Sequence, residues 1–366
     1  MNSEPFSPYS LSVQEQNRLQ NEILEGNFGK PGEVFLTTRA LAEQCHVSVV
    51  TAHNILVGLC EAGYIELRGK RYYLCHSELL REKNSRDRIL GLLVPQINNE
   101  FYSSLADAVV DIAGKNGYMT MLLSTSYSSA AEKRCFQTLL DFGVRGIISC
   151  VPTQSDNEAL YRSCPLPCVM LGHSMDRTTF SSVQVNSFSI SRKVAQYLIE
   201  EGYRRFLYIG TKNMPMEKDV RFAAFQMELR QNGFSLGAED VFFASSDSKS
   251  DETTLAKILR GRNEPVGVFC FHDLLAARVY KVCGKEGLRI PEDVGVVGFD
   301  DLSIATSLDP TLSTVQYRIA TMADMAVSQL LARIKSPTSP YDNYYIEPNL
   351  IIRKSAALSG GLRYAF

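Results

Sequence analysis

Eight short, mainly apolar runs recur between Ile89 and Phe299, and they constrain the fold more than any other feature of the chain. They are ILGLLV (89–94), YMTMLL (118–123), GIISCV (146–151), CVML (168–171), RFLYIG (205–210), DVFFA (240–244), VGVFCF (266–271) and DVGVVGF (293–299). Segments of helix length separate them. A strand that is apolar on both sides belongs in a parallel sheet covered by helices on both faces. The runs fall into two blocks, each of about 100 residues, the size of an ordinary folding unit. An α/β protein with two doubly wound lobes and a cleft between them is therefore expected. Clefts of that kind take ligands at the carboxyl ends of the strands.

The stretch from Thr37 to Leu74 has a different texture. Arg39 to Gln44 has the spacing of a short helix, and Val47-Ser48 reads as a tight turn with Ser48 capping the next helix. That second helix carries Val50, Ile55, Leu56 and Leu59 and stops at Gly63, which suits a helix C-terminus. Tyr64 to Leu67 and Arg71 to Leu74 alternate like short strands around Arg68-Gly69-Lys70. Ahead of them, Ser12-Val13-Gln14-Glu15 has the form of a capping box opening a helix to Gly26, and Val34-Phe35-Leu36 is a short extended piece. Together these segments predict a winged helix-turn-helix. Its second helix would enter the major groove of DNA while the wing touches the backbone.

A chain of 366 residues with 45% apolar content can bury more than one core. No run approaches the roughly 18 apolar residues of a membrane span, and MNSEPFSPYS lacks the form of a signal peptide. Nine scattered cysteines suit reduced thiols and a cytoplasmic location. The closest pair, Cys164 and Cys168, has no second pair to complete a zinc site, so packing thiols are expected. Residues 1–76 hold six Lys/Arg against eight Glu, which opposes phosphate binding by sum, but four of the six cations fall at the wing and the helix-turn-helix. GYIELRGK (63–70) has five residues between its glycines where a phosphate loop needs four, and no metalloprotease, nucleophile-elbow or dinucleotide motif occurs. Neither catalysis nor a cofactor is expected.

The N-terminal segments resemble the GntR-type winged helix. The residues that carry the likeness are Gly26, Pro31-Gly32, Thr38-Arg39-Ala40-Leu41-Ala42-Glu43, Val47-Ser48, Thr51-Ala52, Gly63-Tyr64-Ile65 and Gly69. Val49 and His53 stand where that family places arginines. The resemblance implies phosphate contacts from Arg39, Ser48, Lys70 and Arg71, base reading by Thr51, His53 and Asn54, and Arg68 reaching toward a groove. Residues 1–76 form this domain, and 77–87, rich in alternating charge, form a linker.

Residues 88–366 resemble the LacI/GalR effector domain, whose fold is that of periplasmic sugar-binding proteins. The likeness rests on Gly91-Leu92-Leu93-Val94-Pro95, Asn99-Glu100-Phe101-Tyr102, Val144-Arg145-Gly146-Ile147-Ile148 and Arg221-Phe222-Ala223-Ala224-Phe225. It continues through Asp273-Leu274-Leu275-Ala276-Ala277, Gly287-Leu288-Arg289-Ile290-Pro291, Gly298-Phe299-Asp300-Asp301 and Leu312-Ser313-Thr314-Val315. It implies lobes of 88–185 with 316–338 and 186–315 with 339–356. A GntR-type reader joined to such a sensor resembles the arabinose repressor group.

In that light Arg221 is expected to bind effector hydroxyls or a carboxylate, or else to form an inter-lobe ion pair, and Asp300 to accept from the ligand or to serve only as a cap, with Tyr317 pointing into the cleft and His173 standing where relatives often have Asp. Phe101 and Tyr102 match a first-lobe contact loop or serve as core, and His272 binds ligand or makes a structural contact. An aromatic platform found in some sugar-binding relatives is replaced by Ala244-Ser245-Ser246-Asp247-Ser248. The expected protein is a cytoplasmic transcriptional regulator, a homodimer on a palindromic double-stranded operator, controlled by a small carbohydrate-like effector. The alternative is a receptor whose winged helix no longer reads DNA.

Overall fold

The computed structural model describes residues 11–24, 26–75, 88–150, 157–172, 180–212, 214–244, 248–260, 264–336 and 341–358. In the N-terminal part, α1 (Leu11–Leu24), α2 (Thr38–Gln44) and α3 (Val49–Glu61) precede an antiparallel hairpin of β1 (Ile65–Arg68) and β2 (Arg71–Leu74). Thr37 and Ser48 cap α2 and α3 by accepting the amide protons of Ala40 and Thr51. Gly63 adopts the left-handed conformation, φ +79°, and turns the chain from α3 into the hairpin. Leu19, Leu41, Ile55, Leu56, Leu59 and Ile65 form the common core. The first helix passes so close to α3 that a Cβ at Gly58 would run into the Gln16 side chain. Phe35 and Glu33 pair their backbones with Tyr72 and Leu74, so the expected extended piece borders the wing. One detail differs: α1 already runs from Leu11, so Ser12 lies inside it and is not its cap.

The linker assigned to 77–87 lies outside the described residues. Beyond it, strands and helices alternate as expected. The first lobe is built from β3 (Ile89–Val94), α4 (Glu100–Lys115), β4 (Met119–Ser124), α5 (Ser129–Asp141), β5 (Gly146–Ser149), α6 (Glu158–Arg162), β6 (Cys168–Leu171) and β7 (Ser181–Val185). The chain then enters the second lobe through α7 (Ser187–Glu200), β8 (Arg205–Thr211), α8 (Val220–Gln231), β9 (Val241–Ala244) and α9 (Ser248–Arg260). It continues with β10 (Val266–Cys270), α10 (Asp273–Glu286), β11 (Val294–Asp300), α11 (Ile304–Ser307) and β12 (Ser313–Gln316). Helix α12 (Ile319–Lys335) and the strands β13 (Asn343–Ile346) and β14 (Asn349–Ile351) follow.

Each lobe is one six-stranded sheet. The first has the order β13-β7-β6-β5-β3-β4, parallel throughout, and the second β14-β12-β11-β10-β8-β9, parallel except for β14. All eight apolar runs are strands at the expected places. Helix α12 returns to the first lobe, burying Met322, Ala323, Ala326, Val327 and Leu330 there at helical spacing. The expected lobe boundary needs one correction. Residues 339–356 do not all join the second lobe, because Asn343–Ile346 pairs with Ser182–Val185 of the first, and only β14 reaches the second sheet. The chain thus crosses between lobes near residues 186, 317 and 348.

Asp273 ties the carboxyl end of the second sheet together. It is fully buried, accepts the Thr314 hydroxyl at 2.6 Å and the Leu302 amide at 2.8 Å, and so joins α10, β12 and the loop after β11. Burial pushes its carboxyl up to about 6, against the pull of these two bonds. A side chain at Gly298 would strike its Oδ1, so glycine there makes room for the tie. Asp273→Ala leaves two buried donors unpaired, and a loss of about 3 kcal/mol is expected. Urea unfolding followed by circular dichroism checks this, and an unchanged midpoint would show that the tie is not structural.

Candidate functional site

Arg221 is placed by the second position of α8. The N-cap of that helix, Asp219, is buried, accepts the amides of Arg221 and Phe222 at 3.0 and 3.1 Å, and takes the Tyr208 hydroxyl at 2.6 Å on its other oxygen. With the backbone so fixed, the guanidinium lies between two rings, 3.7 Å from the centroid of Phe299 and 4.2 Å from that of Phe271. Its edge donates to the Phe271 carbonyl and, at 2.7 Å, to the Tyr317 hydroxyl. A partly desolvated cation held on both faces by aromatic rings is pre-organised, and its planar fork suits vicinal oxygens.

Tyr317 follows β12 at the second crossing. Its ring lies 4.6 Å from Phe101 of the first lobe and 5.3 Å from Phe299 of the second. Phe101 in turn meets Tyr102 edge-on at 5.1 Å. Both residues lie in the first turn of α4, after the cap Asn99, so they belong to a helix and not to a loop. Burial raises the Tyr102 phenol, which shares a side-chain hydrogen bond with Tyr127. An unbroken series of aromatic contacts therefore runs from Tyr102 through Tyr317 to the face of Arg221.

Asp300 ends β11 with φ +110°, and Asp301 follows with φ +53°. Consecutive left-handed, non-glycine residues are strained, by roughly 1–3 kcal/mol each, and such strain gathers at ligand clamps. Asp301 is pinned by Gln316 and Arg353, both at 2.7 Å. Burial pushes the Asp300 carboxyl up to about 8, with Arg221 pulling it down and Asp273 pushing it further up. Near neutral pH this group thus holds its proton and can donate to a ligand oxygen as well as accept. His272 caps α10: its Nδ1 accepts the Leu275 amide at 3.1 Å. Burial, and next the charge of Arg221, push it down to about 4, so the neutral ring carries its proton on Nε2. The structural contact foreseen for His272 is present, and a donor is left over.

Across the lobes, the Glu100 carboxylate accepts the amide of Ser303 at 2.7 Å and its hydroxyl at 2.9 Å. The structure thus assembles Phe101, Tyr102, Arg221, His272, Asp300 and Tyr317 around one inter-lobe region. His173 and the loop 245–247 lie outside the described residues. Sequence reasoning did not single out Tyr127, Phe271, Glu100 or Arg353. Phe271 and Tyr127 stand just past strand ends, a signal that marks a place but not a role. The partners of Glu100 and Arg353 are distant in the chain and left no local trace.

Among the residues expected at DNA, Arg39, His53, Lys70 and Arg71 are exposed. The Ser48 hydroxyl is engaged in capping α3 and bonds the Thr51 hydroxyl at 2.8 Å. Arg68 is exposed as well. It pairs with Glu66 and lies over the Tyr73 ring, because both partners sit within reach on the same hairpin. No described helix is long and apolar enough to cross a membrane, and all nine cysteines are free, four of them buried.

Residues 195–356 match the family described as periplasmic binding protein-like domain. The ribose operon repressor of Haemophilus influenzae is 26% identical over 271 residues, covering 73% of this chain and 81% of that protein. Among solved structures, a periplasmic binding protein/LacI transcriptional regulator from Alkaliphilus metalliredigens, complexed with D-xylulofuranose, superposes with a TM-score of 0.63 at 24% identity, covering 73% of this chain and 98% of that one. A LacI family transcriptional regulator from Enterococcus faecium with bound ribose gives 0.61 at 23% identity, covering 73% and 98%. The two lobes thus have the periplasmic-binding-protein-like fold.

The raised Asp300 carboxyl has a measurable consequence. The folded chain holds this proton more tightly than the unfolded chain, so its contribution to stability is complete below the ordinary carboxylate range and is lost as pH rises toward about 8. Asp300→Asn removes the titration. Calorimetric melting from acid to mildly alkaline pH should show the parent losing ground to the variant as pH rises. Identical pH profiles would show that the carboxyl ionises normally.

Proposed function

We propose that this chain is a transcriptional repressor in which a winged helix-turn-helix reads operator DNA and a LacI-type effector domain senses a small carbohydrate. The observation that carries this reading is Arg221. It is sandwiched by second-lobe rings and bonded to Tyr317, whose ring contacts Phe101 of the first lobe, so a ligand that engages it acts on the relation between the lobes. Polyol recognition needs a donor fork, carboxyl acceptors and an apolar wall; Arg221, Asp300 and the rings supply these. The pentoses bound in the two similar solved structures and the likeness to a ribose operon repressor support a sugar of that size.

One winged helix makes few base contacts, so two copies on a two-fold operator are the economical arrangement. Effector binding would alter the lobe relation and, through a dimer seam formed by the effector domains, the spacing of the reading heads. The sign we assign is release of DNA by ligand. A ligand moves that balance only by its differential affinity for the two states. Location in the cytoplasm follows from this role. A second reading, a receptor that no longer binds DNA, is favoured by the glutamate excess in residues 1–76 and by Val49 in place of an arginine. Electrophoretic shifts with genomic fragments at low salt separate the two.

The effector site is tested by thermal-shift screening of pentoses, hexoses and their phosphates. A ligand present at about 100 times its Kd stabilises by about 2.7 kcal/mol, and most of that gain should vanish in Arg221→Ala and in Asp300→Ala. Equal shifts in all three proteins would place the ligand elsewhere.

A further inference from the structure

The solvent side of α3 carries a chemistry that phosphate contacts leave unused. Its exposed residues include Val49, Val50, His53, Asn54 and Val57. At about 100° per residue these fall on one arc of the helix, while Ala52, Ile55, Leu56 and Leu59 fill the opposite side. The three valines are 56%, 71% and 39% exposed. A single exposed apolar residue needs no explanation, but three on one arc of one short helix do. β-branched residues also lower helix propensity, so nothing in local folding favours them there. No lysine or arginine occurs anywhere in α3.

Base edges in the major groove differ in what they accept. Guanine takes the bidentate fork of Arg or the ammonium of Lys, adenine takes Asn or Gln, and the thymine C5-methyl takes an apolar side chain. The arc offers three apolar groups and Asn54, and has no bidentate reader of guanine. Resting on the proposed role of the chain as a DNA-binding regulator, we infer that α3 reads A·T pairs: Val49 and Val50 pack on thymine methyls while Asn54 pairs with adenine. A duplex suits this face better than a protein partner because exposed cations stand on the elements that pack against α3. Arg39 stands on α2 and Lys70 and Arg71 at the wing, and both α2 and β1 pack against α3. Glu61, exposed at the far end of the helix, disfavours phosphate there and leaves the first two turns as the reading part, where such helices meet bases.

The experiment selects duplexes from a random pool with the full-length protein at low salt, then replaces single thymines of the selected half-site by deoxyuridine, which removes only the C5-methyl. At one or more positions affinity should fall about fourfold, the factor that burial of one methyl-sized group corresponds to. Val50→Ala should bind the thymine duplex more weakly and no longer distinguish it from the uracil duplex, whereas Val50→Ile should keep the distinction. Unchanged melting temperatures would show these exposed-site variants to be folded. Sequence-specific binding that is indifferent to uracil at every position, or a selected half-site dominated by G·C pairs, would overturn the inference while leaving the regulator role intact. Failure to retain any duplex at low salt would overturn both.

Discussion

A guanidinium taken partly out of water must find either a counter-charge or a polarisable surround, and Arg221 is given mainly the second. Rings on both faces and neutral oxygens on its edge keep it charged without consuming it in a close ion pair. A carboxylate salt bridge in the same place would have to be broken before any ligand could bind, and breaking a buried pair costs several kcal/mol. Here the fork stays oriented by contacts that a ligand need not displace. Its hydrogen bond to Tyr317 also couples it to the strand crossing, where a small change in side-chain position bears on both lobes.

The strained turn at Asp300 and Asp301 depends on the same economy. Two successive left-handed residues persist only because the surroundings determine them more than once. Asp273 from α10, Gln316 from β12 and Arg353 near the C-terminal end of the described chain all hold this turn or its neighbours. In contrast, the Glu100–Ser303 contact joining the lobes is exposed to solvent. Water competes for such a contact, so it contributes little to holding the lobes together. The site is rigid within the second lobe and weakly tethered across the gap, a division that lets a ligand bias the lobe arrangement with a modest binding energy.

In the N-terminal helices and hairpin, electrostatics and shape give different messages. The net charge opposes a nucleic acid, and Arg68, though exposed, pairs with Glu66. Yet Arg39, Lys70 and Arg71 are exposed on α2 and the hairpin, and α3, whose inner side is buried apolar core, also carries three valines on its outer side. Long-range attraction and base discrimination are separate physical tasks. Under the proposed function, this domain is better equipped for the second than for the first.

Strands buried on both sides announce themselves as apolar runs, and so do the two partly buried edge strands β4 and β9, so these eight strands were legible in the amino-acid sequence, as were the cap Ser48 and the stop at Gly63. SSVQV and NYYI carry no such mark. The first stays hidden because Ser181 and Ser182 are buried yet satisfied by hydrogen bonds to residues 342 and 343, and pairing between these distant strands has no local signature, so the last crossing was placed too early. Arg221, Asp300 and Tyr317 could be named beforehand, but their dealings with one another could not. Sequence by itself determined the two parallel sheets and the helices and hairpin of the N-terminal part, because periodicity of burial is a property of neighbours along the chain. Only the tertiary structure decided that Phe271 and Phe299 enclose the guanidinium, that His272 uses Nδ1 on a helix cap and that Arg68 pairs with Glu66, because each depends on distances between groups that the backbone brings together only when folded.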